Sequence, residues 1–553
     1  MEGKINDETH GELEDFLRSK LLEADSDADI DIGVDLTALI TNAVLDSNPK
    51  YSLEGIRHCI ANMGLASKLD ALSAIPMLVD SIQPGAEGLL DLVGECGNAK
   101  EVTISVQEEL ERLKIRFSND DDDNEQEQNE QEEKKCSSAT QFIRLLNLYS
   151  QAIPRLKLRK KTATDTLKSL FGDLGLLFYA FTTETDVEEA EGVFIAFSRL
   201  VHVSKSWSEI QTINESSEIN GYLLELLCDA IAPLSHHFSM GLAQSKFDAA
   251  FPRLRGNTKP ANTRHTETSL KCLSCTCERI SLETRPGTLQ LLAYSWPTLE
   301  FSESSYQQLL SRTLPLLIDS ISNGRPAVDE SLFIILSSLH PNKVSPSYAT
   351  QEWDSTFVMP LVNALSMLAC GHPDGQIRLI AFRAVGGLLY HLPPLAHLQV
   401  LHDLLTDTDL PHMRIAAVGL LKDAVLSALA SPSSNVFASP ILLQTFGSVV
   451  LRPEPPDLFS QSILLEEFDE MDERKRLVEC LSFYYVLLLR DVDNRTGVRD
   501  STQLKTVERD LLKPLQSQLE KWEDGGITMS LAALTTSLER VSNAIDEIRS
   551  LTL

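Results

Sequence analysis

The segment GQIRLIAFRAVGGLLYHLPP, residues 375–394, constrains the fold of this chain more than any other feature. Apolar or small residues recur along it at steps of three and four, as in a helix buried along one side; they are Ile377, Ile380, Ala381, Ala384, Leu388 and Leu389. Arg378 and Arg383 lie off this stripe. Asp374 precedes the segment and is expected to cap the first free amide groups. The segment therefore predicts a half-buried helix with two arginines beside its apolar face.

The same pattern returns at residues 411–430, PHMRIAAVGLLKDAVLSALA. An offset of 36 residues aligns the two segments, and it pairs Arg378 with Arg414, Ala381 with Ala417 and Val385 with Leu421. A period of a few tens of residues is typical of a solenoid, in which each unit buries its apolar face against its neighbours. The repeat predicts an all-α, HEAT/armadillo-like α-solenoid of antiparallel helix pairs, with the arginines on the rim and free for other uses.

The charge of the chain bears on its partners. Its 49 Lys and Arg residues against 80 Asp and Glu residues give a net charge of -31 over 553 residues. Such a surface repels phosphate backbones and anionic membranes, which argues against nucleic acid as the main partner and favours basic protein surfaces.

The compartment follows from hydropathy and cysteine content. The most apolar run, residues 481–489, is shorter than the roughly 18 residues that a membrane crossing needs. Nine cysteines spread over the chain do not resemble a secreted disulfide framework. We expect no membrane partner, reduced thiols and a cytoplasmic location, with access to the nucleus left open by the basic string at residues 155–161.

Composition shifts along the chain suggest its organisation. Residues 119–137 are rich in carboxylates and poor in apolar residues, which predicts a disordered acidic linker. The predicted regions are N-terminal helical repeats at 1–118, the acidic linker at 119–137, middle helical repeats at 138–252, a polar loop at 253–269 and a C-terminal helical region at 270–553.

Motifs that carry chemistry are nearly absent from the sequence. It has no phosphate-binding glycine loop, HExxH helix or nucleophile elbow, so we expect neither an enzyme nor a cofactor. The closest cluster is KCLSCTCER, with Cys272, Cys275 and Cys277 after His265. A zinc site, a redox-sensing thiol pair and ordinary cysteines are the three interpretations, of which we favour the last. Five other cysteines are expected to be packing residues: Cys59, Cys96, Cys228, Cys370 and Cys480.

The C-terminal region resembles a known family. Residues 484–522 contain an apolar helix and an Asn-x-Thr-Gly turn at Asn494, Thr496 and Gly497, and then a helix that carries Leu512, Lys513, Pro514 and Leu515. This order is similar to the end of the family that joins glomulin, the plant lateral-root factor and the fungal Yap-binding proteins. The repeat helices with Arg378 and Arg414 are similar to those just upstream in that family, so the resemblance covers residues 370–525.

The resemblance implies a HEAT-like solenoid without catalysis. In glomulin the C-terminal repeats bind the RING subunit of cullin-RING ubiquitin ligases and mask the E2 site, whereas Yap-binding relatives help a bZIP stress factor to become oxidised. The ligase role is the first expectation, the stress adaptor the second and a general scaffold the third. The residues expected to contact a partner are Thr496, Gly497, Lys513, Pro514 and Leu515, with Arg378 and Arg414 as further candidates.

Overall fold

The chain is described by a computed structural model that covers residues 11–22, 32–46, 48–119, 136–158, 160–181, 185–211, 216–234, 237, 241–254, 285, 287–296, 303–323, 327–340, 352–431, 435–460, 463–523 and 529–552. Over these residues it is all helix and turn, without a β-strand. The predicted all-α class is confirmed. Residues 120–135 of the predicted acidic linker and residues 255–269 of the predicted polar loop lie outside the described residues, so the predicted region boundaries stay predictions.

The helices follow one another closely along the chain. The first half contains α1 (residues 11–22), α2 (Ile32–Leu45), α3 (Leu53–Asn62), α4 (Ala71–Val79), α5 (Ala86–Cys96), α6 (Ala99–Asn119), α7 (Ser138–Ala152), α8 (Ala163–Phe171), α9 (Leu174–Phe181), α10 (Val187–Gln211), α11 (Ser216–Leu234) and α12 (Leu242–Ala250).

The second half continues the series. It contains α13 (Thr288–Ser295), α14 (Glu303–Asn323), α15 (Val328–Leu339), α16 (Ser355–Gly371), α17 (Gly375–Tyr390), α18 (Pro394–Thr406), α19 (Pro411–Ala430), α20 (Ile441–Val450), α21 (Leu465–Glu470), α22 (Asp472–Arg490), α23 (Ser501–Val507), α24 (Lys513–Glu523) and α25 (Met529–Thr552). A π-helical turn, Glu508–Leu512, lies between α23 and α24.

Short polar side chains start many of these helices. Asp70, Thr162, Asp354 and Asp374 each accept a hydrogen bond from a backbone N–H in the first turn of the helix that follows. The amide groups of a first helical turn have no partner inside the helix, so each such cap stabilises a helix by about 1 kcal/mol. The cap predicted at Asp374 is confirmed: its Oδ1 atom accepts from the N–H of Gln376 at 2.8 Å.

The first compact unit contains α1 to α11 and α13. Helices close in sequence pack together: α4 contacts α5 and α6, and α7 contacts α5, α6 and α10. Aromatic residues fill the space around α7, where the ring of Phe142 stacks on that of Phe181 at 4.7 Å and Phe178 meets Phe197 edge-on at 4.7 Å. All four rings are completely buried.

The second compact unit contains α12 and α14 to α25. Here α16 packs on α17 and α18 on α19, and the contacts continue from α19 to α22 and from α22 to α25. Residues aligned by the 36-residue offset occupy equivalent places, since Ala381, Ala417, Val385 and Leu421 are all completely buried. Burial of a Leu or Ile side chain contributes roughly 1.5 to 3 kcal/mol, so these apolar seams hold the helix pairs together. The predicted solenoid packing is confirmed within this unit.

Candidate protein-binding site

The Asn-x-Thr-Gly motif lies in a turn that directly follows α22, and we call residues 491–500 the Asp491 turn. Asp491 is only 1% exposed. Its carboxylate accepts hydrogen bonds from the backbone N–H of Arg495 at 2.8 Å, the N–H of Thr496 at 2.8 Å and the hydroxyl of Thr496 at 2.6 Å. One buried carboxylate therefore organises the start of the turn.

Asn494 and Gly497 give the turn its backbone shape, because both have positive φ, at 53° and 77°. The side-chain amide of Asn494 donates to Asp500 at 2.7 Å, and its oxygen accepts from the N–H of Arg499 at 2.8 Å. A Cβ atom at position 497 would lie 3.1 Å from an oxygen of Asp500 in addition to the strained φ. Each motif residue of this turn thus has a local structural role.

The predicted contact residues differ in their access to a partner. Thr496 and Leu515 are buried, at 1% and 0% exposure, whereas Gly497 and Pro514 are half-buried and Lys513 is exposed. Pro514 is the second residue of α24, directly after the π-helical turn. Of these five, Lys513 is the most accessible to solvent. Their role in binding a partner stays a prediction.

Arg378 and Arg414 use their guanidinium groups inside the repeat. Arg378 donates to the carbonyls of His372 at 2.6 Å and Pro373 at 2.9 Å, immediately after the end of α16. Arg414 pairs with Glu454 and donates to the carbonyl of Leu405 at 3.2 Å, in the last turn of α18. The last carbonyls of a helix have no partner within it, and a cation there also complements the helix dipole. The expectation that these two arginines are free is therefore wrong.

Two further arginines donate to main-chain carbonyls at or near helix ends. The sequence pattern did not predict these contacts. Arg476, only 3% exposed, donates to the carbonyls of Val449 and Arg452, both at 2.8 Å, around the end of α20. Arg495 of the Asp491 turn donates to the carbonyl of Ser431 at 3.1 Å, just after α19. We call these contacts to carbonyls, with those of Arg378 and Arg414, the arginine caps.

A groove of about 480 Å³ lies over the outer face of α19. Its floor residues follow one another at steps of three and four along the helix and so share one face; they are His412, Ile415, Ala416, Gly419, Lys422 and Asp423. Phe382 and Arg383 of α17 line one part of the groove, and Lys475 and Glu479 of α22 line another. No local stretch of sequence contains this site, because three helices build it.

Arg383 is the unusual residue of the groove. Its Nε atom is buried without a hydrogen-bond partner among the described residues. Neither Arg383 nor Lys422 forms a hydrogen bond or an ion pair within the described part of the chain, whereas Lys475 pairs with Asp472 at 3.0 Å. Within that part of the chain, the groove thus presents two unpaired cations close to the apolar floor residues Ile415 and Ala416, on a protein whose net charge is -31.

The predictions for the cysteines have mixed outcomes. Cys272, Cys275 and Cys277 lie outside the described residues, as does His265. Cys59, Cys228 and Cys480 are buried as predicted, and burial raises the pKa of Cys480 to about 12, which keeps that thiol protonated. Cys370 is half-buried and Cys96 is exposed, so the packing prediction is wrong for Cys96.

None of the helices within the described ranges combines the length and apolarity that a membrane crossing requires.

Comparison with known proteins adds one family match. Residues 276–530 match a family described as an uncharacterised protein family, YAP/Alf4/glomulin. No curated protein matches the chain. The matched residues include α14 to α24, and hence the arginine caps, the groove over α19 and the Asp491 turn.

Proposed function

Because residues 276–530 belong to the YAP/Alf4/glomulin family, we propose that the chain is a non-catalytic, glomulin-like regulator that binds the RING subunit of a cullin-RING ubiquitin ligase. By masking the E2 site it would inhibit ubiquitin transfer in the cytoplasm, with access to the nucleus. The family match and the helical fold both support a helical adaptor that binds proteins. The match to the C-terminal repeats carries the proposal.

The size of the helical surface supports a masking contact. A stable protein interface covers about 800 Å² on each partner, which several adjacent helices can supply. In the Asp491 turn, Val492 is 67% exposed, and Lys513 at the start of α24 is also exposed. Exposed charges such as Lys513 would guide the encounter more than they would fix its strength.

A reconstituted ligase assay tests this proposal. The purified chain is titrated into a neddylated cullin-RING ligase with E1, E2 and ubiquitin, and chain formation is measured. We expect inhibition that saturates, and we expect Lys513→Glu together with Val492→Glu to weaken it about tenfold, a loss of about 1.4 kcal/mol. The matched control is Lys100→Glu with Ile210→Glu, two exposed positions in the first unit. Unchanged ligase rates at saturating protein would reject the proposal.

The Yap-binding alternative is favoured by the same family description, which also names YAP. Cys277 lies inside the matched residues, and Cys272 and Cys275 lie just before them. In this case the chain would act as an adaptor for oxidation of a bZIP stress factor. It should then co-purify with that factor after peroxide treatment, and replacement of all three cysteines by Ser should impair the response. A wild-type response from the triple variant would exclude cysteine chemistry as the mechanism.

A further inference from the structure

The groove over α19 contains a hydrogen-bonding group that the described part of the fold leaves unused. The Nε atom of Arg383 is buried and has no acceptor among the described residues. In the arginine caps of the same unit, by contrast, guanidinium N–H groups donate to main-chain carbonyls. A buried donor without a partner is unfavourable, because it has given up its hydrogen bonds to water. A ligand that brings an acceptor to the guanidinium of Arg383 would give this cation the partner that it lacks among the described residues, and a carboxylate suits a guanidinium best because it can accept two parallel hydrogen bonds.

The floor of the groove selects for an apolar group beside that acceptor. Ile415 and Ala416 of the floor are half-buried, and so is Phe382, which lines the groove from α17. A Cβ atom added at Gly419 would have no neighbour within 4 Å, so there is open space above the middle of the floor. A side chain of a ligand can enter there and displace water from these apolar residues.

The shape of the groove points to a macromolecular ligand. His412, Asp423 and Lys475 are exposed along it, so the groove is open to solvent. Small-molecule sites usually enclose most of the surface of their ligand. An open groove that is bordered by three helices is better matched to a segment of another protein, which covers the floor and extends beyond it.

The charges of the groove indicate the character of that segment. Arg383 and Lys422 are cations that find no partner among the described residues, and the lining also contains the carboxylates of Asp423 and Glu479. Asp423 is exposed and keeps its hydration, whereas Arg383 is half-buried and finds no acceptor among the described residues. Arg383 is therefore the group that gains most from a ligand. Because its guanidinium is a cation, the ligand group that it favours is negatively charged.

From these observations we infer that the groove over α19 binds an acidic segment of a partner protein. An apolar side chain of the segment packs on Ile415 and Ala416 above Gly419, and a neighbouring carboxylate accepts hydrogen bonds from Arg383, with Lys422 as a second cation. This site goes beyond the proposed RING contact and does not depend on it, because the residues expected to bind the RING subunit are others.

Peptide selection against the full chain tests the inference without a ligase. Random peptides displayed on phage are selected on the wild-type chain, and the enriched peptides are synthesised and their affinities measured by fluorescence polarisation. We expect enrichment of peptides with an apolar residue next to Asp or Glu. Replacement of their carboxylates by amides should weaken binding about tenfold or more, as expected for a charge-assisted hydrogen bond.

Matched variants locate the binding. Gly419→Trp fills the groove and should abolish binding, whereas Gly447→Trp, at another open helical glycine in α20, should not. Arg383→Gln should weaken binding about tenfold, and Arg312→Gln, at an exposed arginine of α14, should leave it unchanged. Circular dichroism checks that each variant is folded.

Several outcomes would overturn the inference. They are a lack of any enriched peptide, enrichment of basic peptides, and binding that Gly419→Trp leaves intact. Self-association of the chain that Gly419→Trp abolishes, without peptide binding, would instead identify a second copy as the occupant. The ligase assay has no bearing on these readouts, so failure of the RING proposal and failure of this inference are distinguishable.

Discussion

The carboxylate of Asp491 accepts hydrogen bonds from two backbone amides and one hydroxyl, all within five residues of chain. It lies at the end of α22, where the chain must turn before α23 begins at Ser501. Because Asp491 and Thr496 are both buried, water cannot replace either partner. At the residue scale this one acceptor holds the start of the Asp491 turn.

Replacement of Asp491 by Ala should therefore destabilise the second unit. Two amides and a hydroxyl would lose their acceptor, and at about 1 to 3 kcal/mol for each buried group we expect a loss of about 2 to 4 kcal/mol after partial rehydration. Urea unfolding followed by far-UV circular dichroism measures it. Asp493→Ala is the control, since that side chain is exposed and should change stability by less than about 0.5 kcal/mol. Equal midpoints for the two variants would contradict the assigned role.

His397 gives a prediction on pH. Its ring lies 4.9 Å from that of Phe437, and burial lowers its pKa to about 4 from an ordinary 6.5. The unfolded chain therefore binds a proton near pH 6.5 that the folded chain does not bind until about pH 4. The stability that the neutral ring contributes is complete above pH 6.5 and is lost as pH falls towards 4.

His397→Phe keeps an aromatic ring but cannot titrate. As pH falls from 6.5 towards 4, we expect its free energy of unfolding to decrease by about 2 to 3 kcal/mol less than that of wild type. Unfolding midpoints measured between pH 7 and pH 4 provide the comparison. His412→Phe, at an exposed histidine, should follow the wild-type curve. Parallel curves for His397→Phe and wild type would show that His397 does not cause the acid sensitivity.

At the scale of elements, the arginine caps join three helices of the second unit to the end of an earlier helix. Arg378 of α17 reaches the end of α16, Arg414 of α19 reaches the end of α18, and Arg476 of α22 reaches the end of α20. Three helix pairs thus use the same device. Apolar packing supplies most of the stability, and the caps fix which turn of one helix lies beside the end of the other.

Arg476 offers the sharpest test of this device, because it is buried and also pairs with Glu473 at 2.6 Å. Arg476→Met would leave Glu473 as a buried charge with less compensation, and we expect a loss of about 3 to 5 kcal/mol in urea unfolding. Addition of Glu473→Gln should recover part of it. Lys475→Met removes an exposed pair with Asp472 and should cost less than about 1 kcal/mol. A similar small loss for Arg476→Met would refute the structural role.

The sequence predicted the helices of this region better than their contacts. The 36-residue offset is reproduced by the starts of α17 at Gly375 and α19 at Pro411, because a helical stripe is a local pattern. The role of Arg414 was hidden, since its acceptor is a carbonyl nine residues earlier that any residue would provide. The groove was hidden as well, because Arg383, Gly419 and Glu479 come together only when three helices pack.

At the scale of the whole molecule, the surplus of carboxylates opposes folding through mutual repulsion. With a net charge of -31, screening should stabilise the chain. A rise in NaCl from about 0.01 M to about 0.15 M shortens the screening length from about 30 Å to about 8 Å, and we expect the thermal midpoint at pH 7 to rise. Near the sequence pI of 4.8 the same rise in salt should have little effect. An equal response at both pH values would mean that net charge is not responsible.

The arginine caps have a consequence for how such a chain can diverge. Every acceptor in them is a main-chain oxygen, at positions such as His372, Leu405 and Val449. Substitution of an acceptor residue leaves its carbonyl in place, so mutation can break these contacts from the donor side alone. Selection then needs to preserve one guanidinium for each junction, while the partner position is free to change its side chain over evolutionary time.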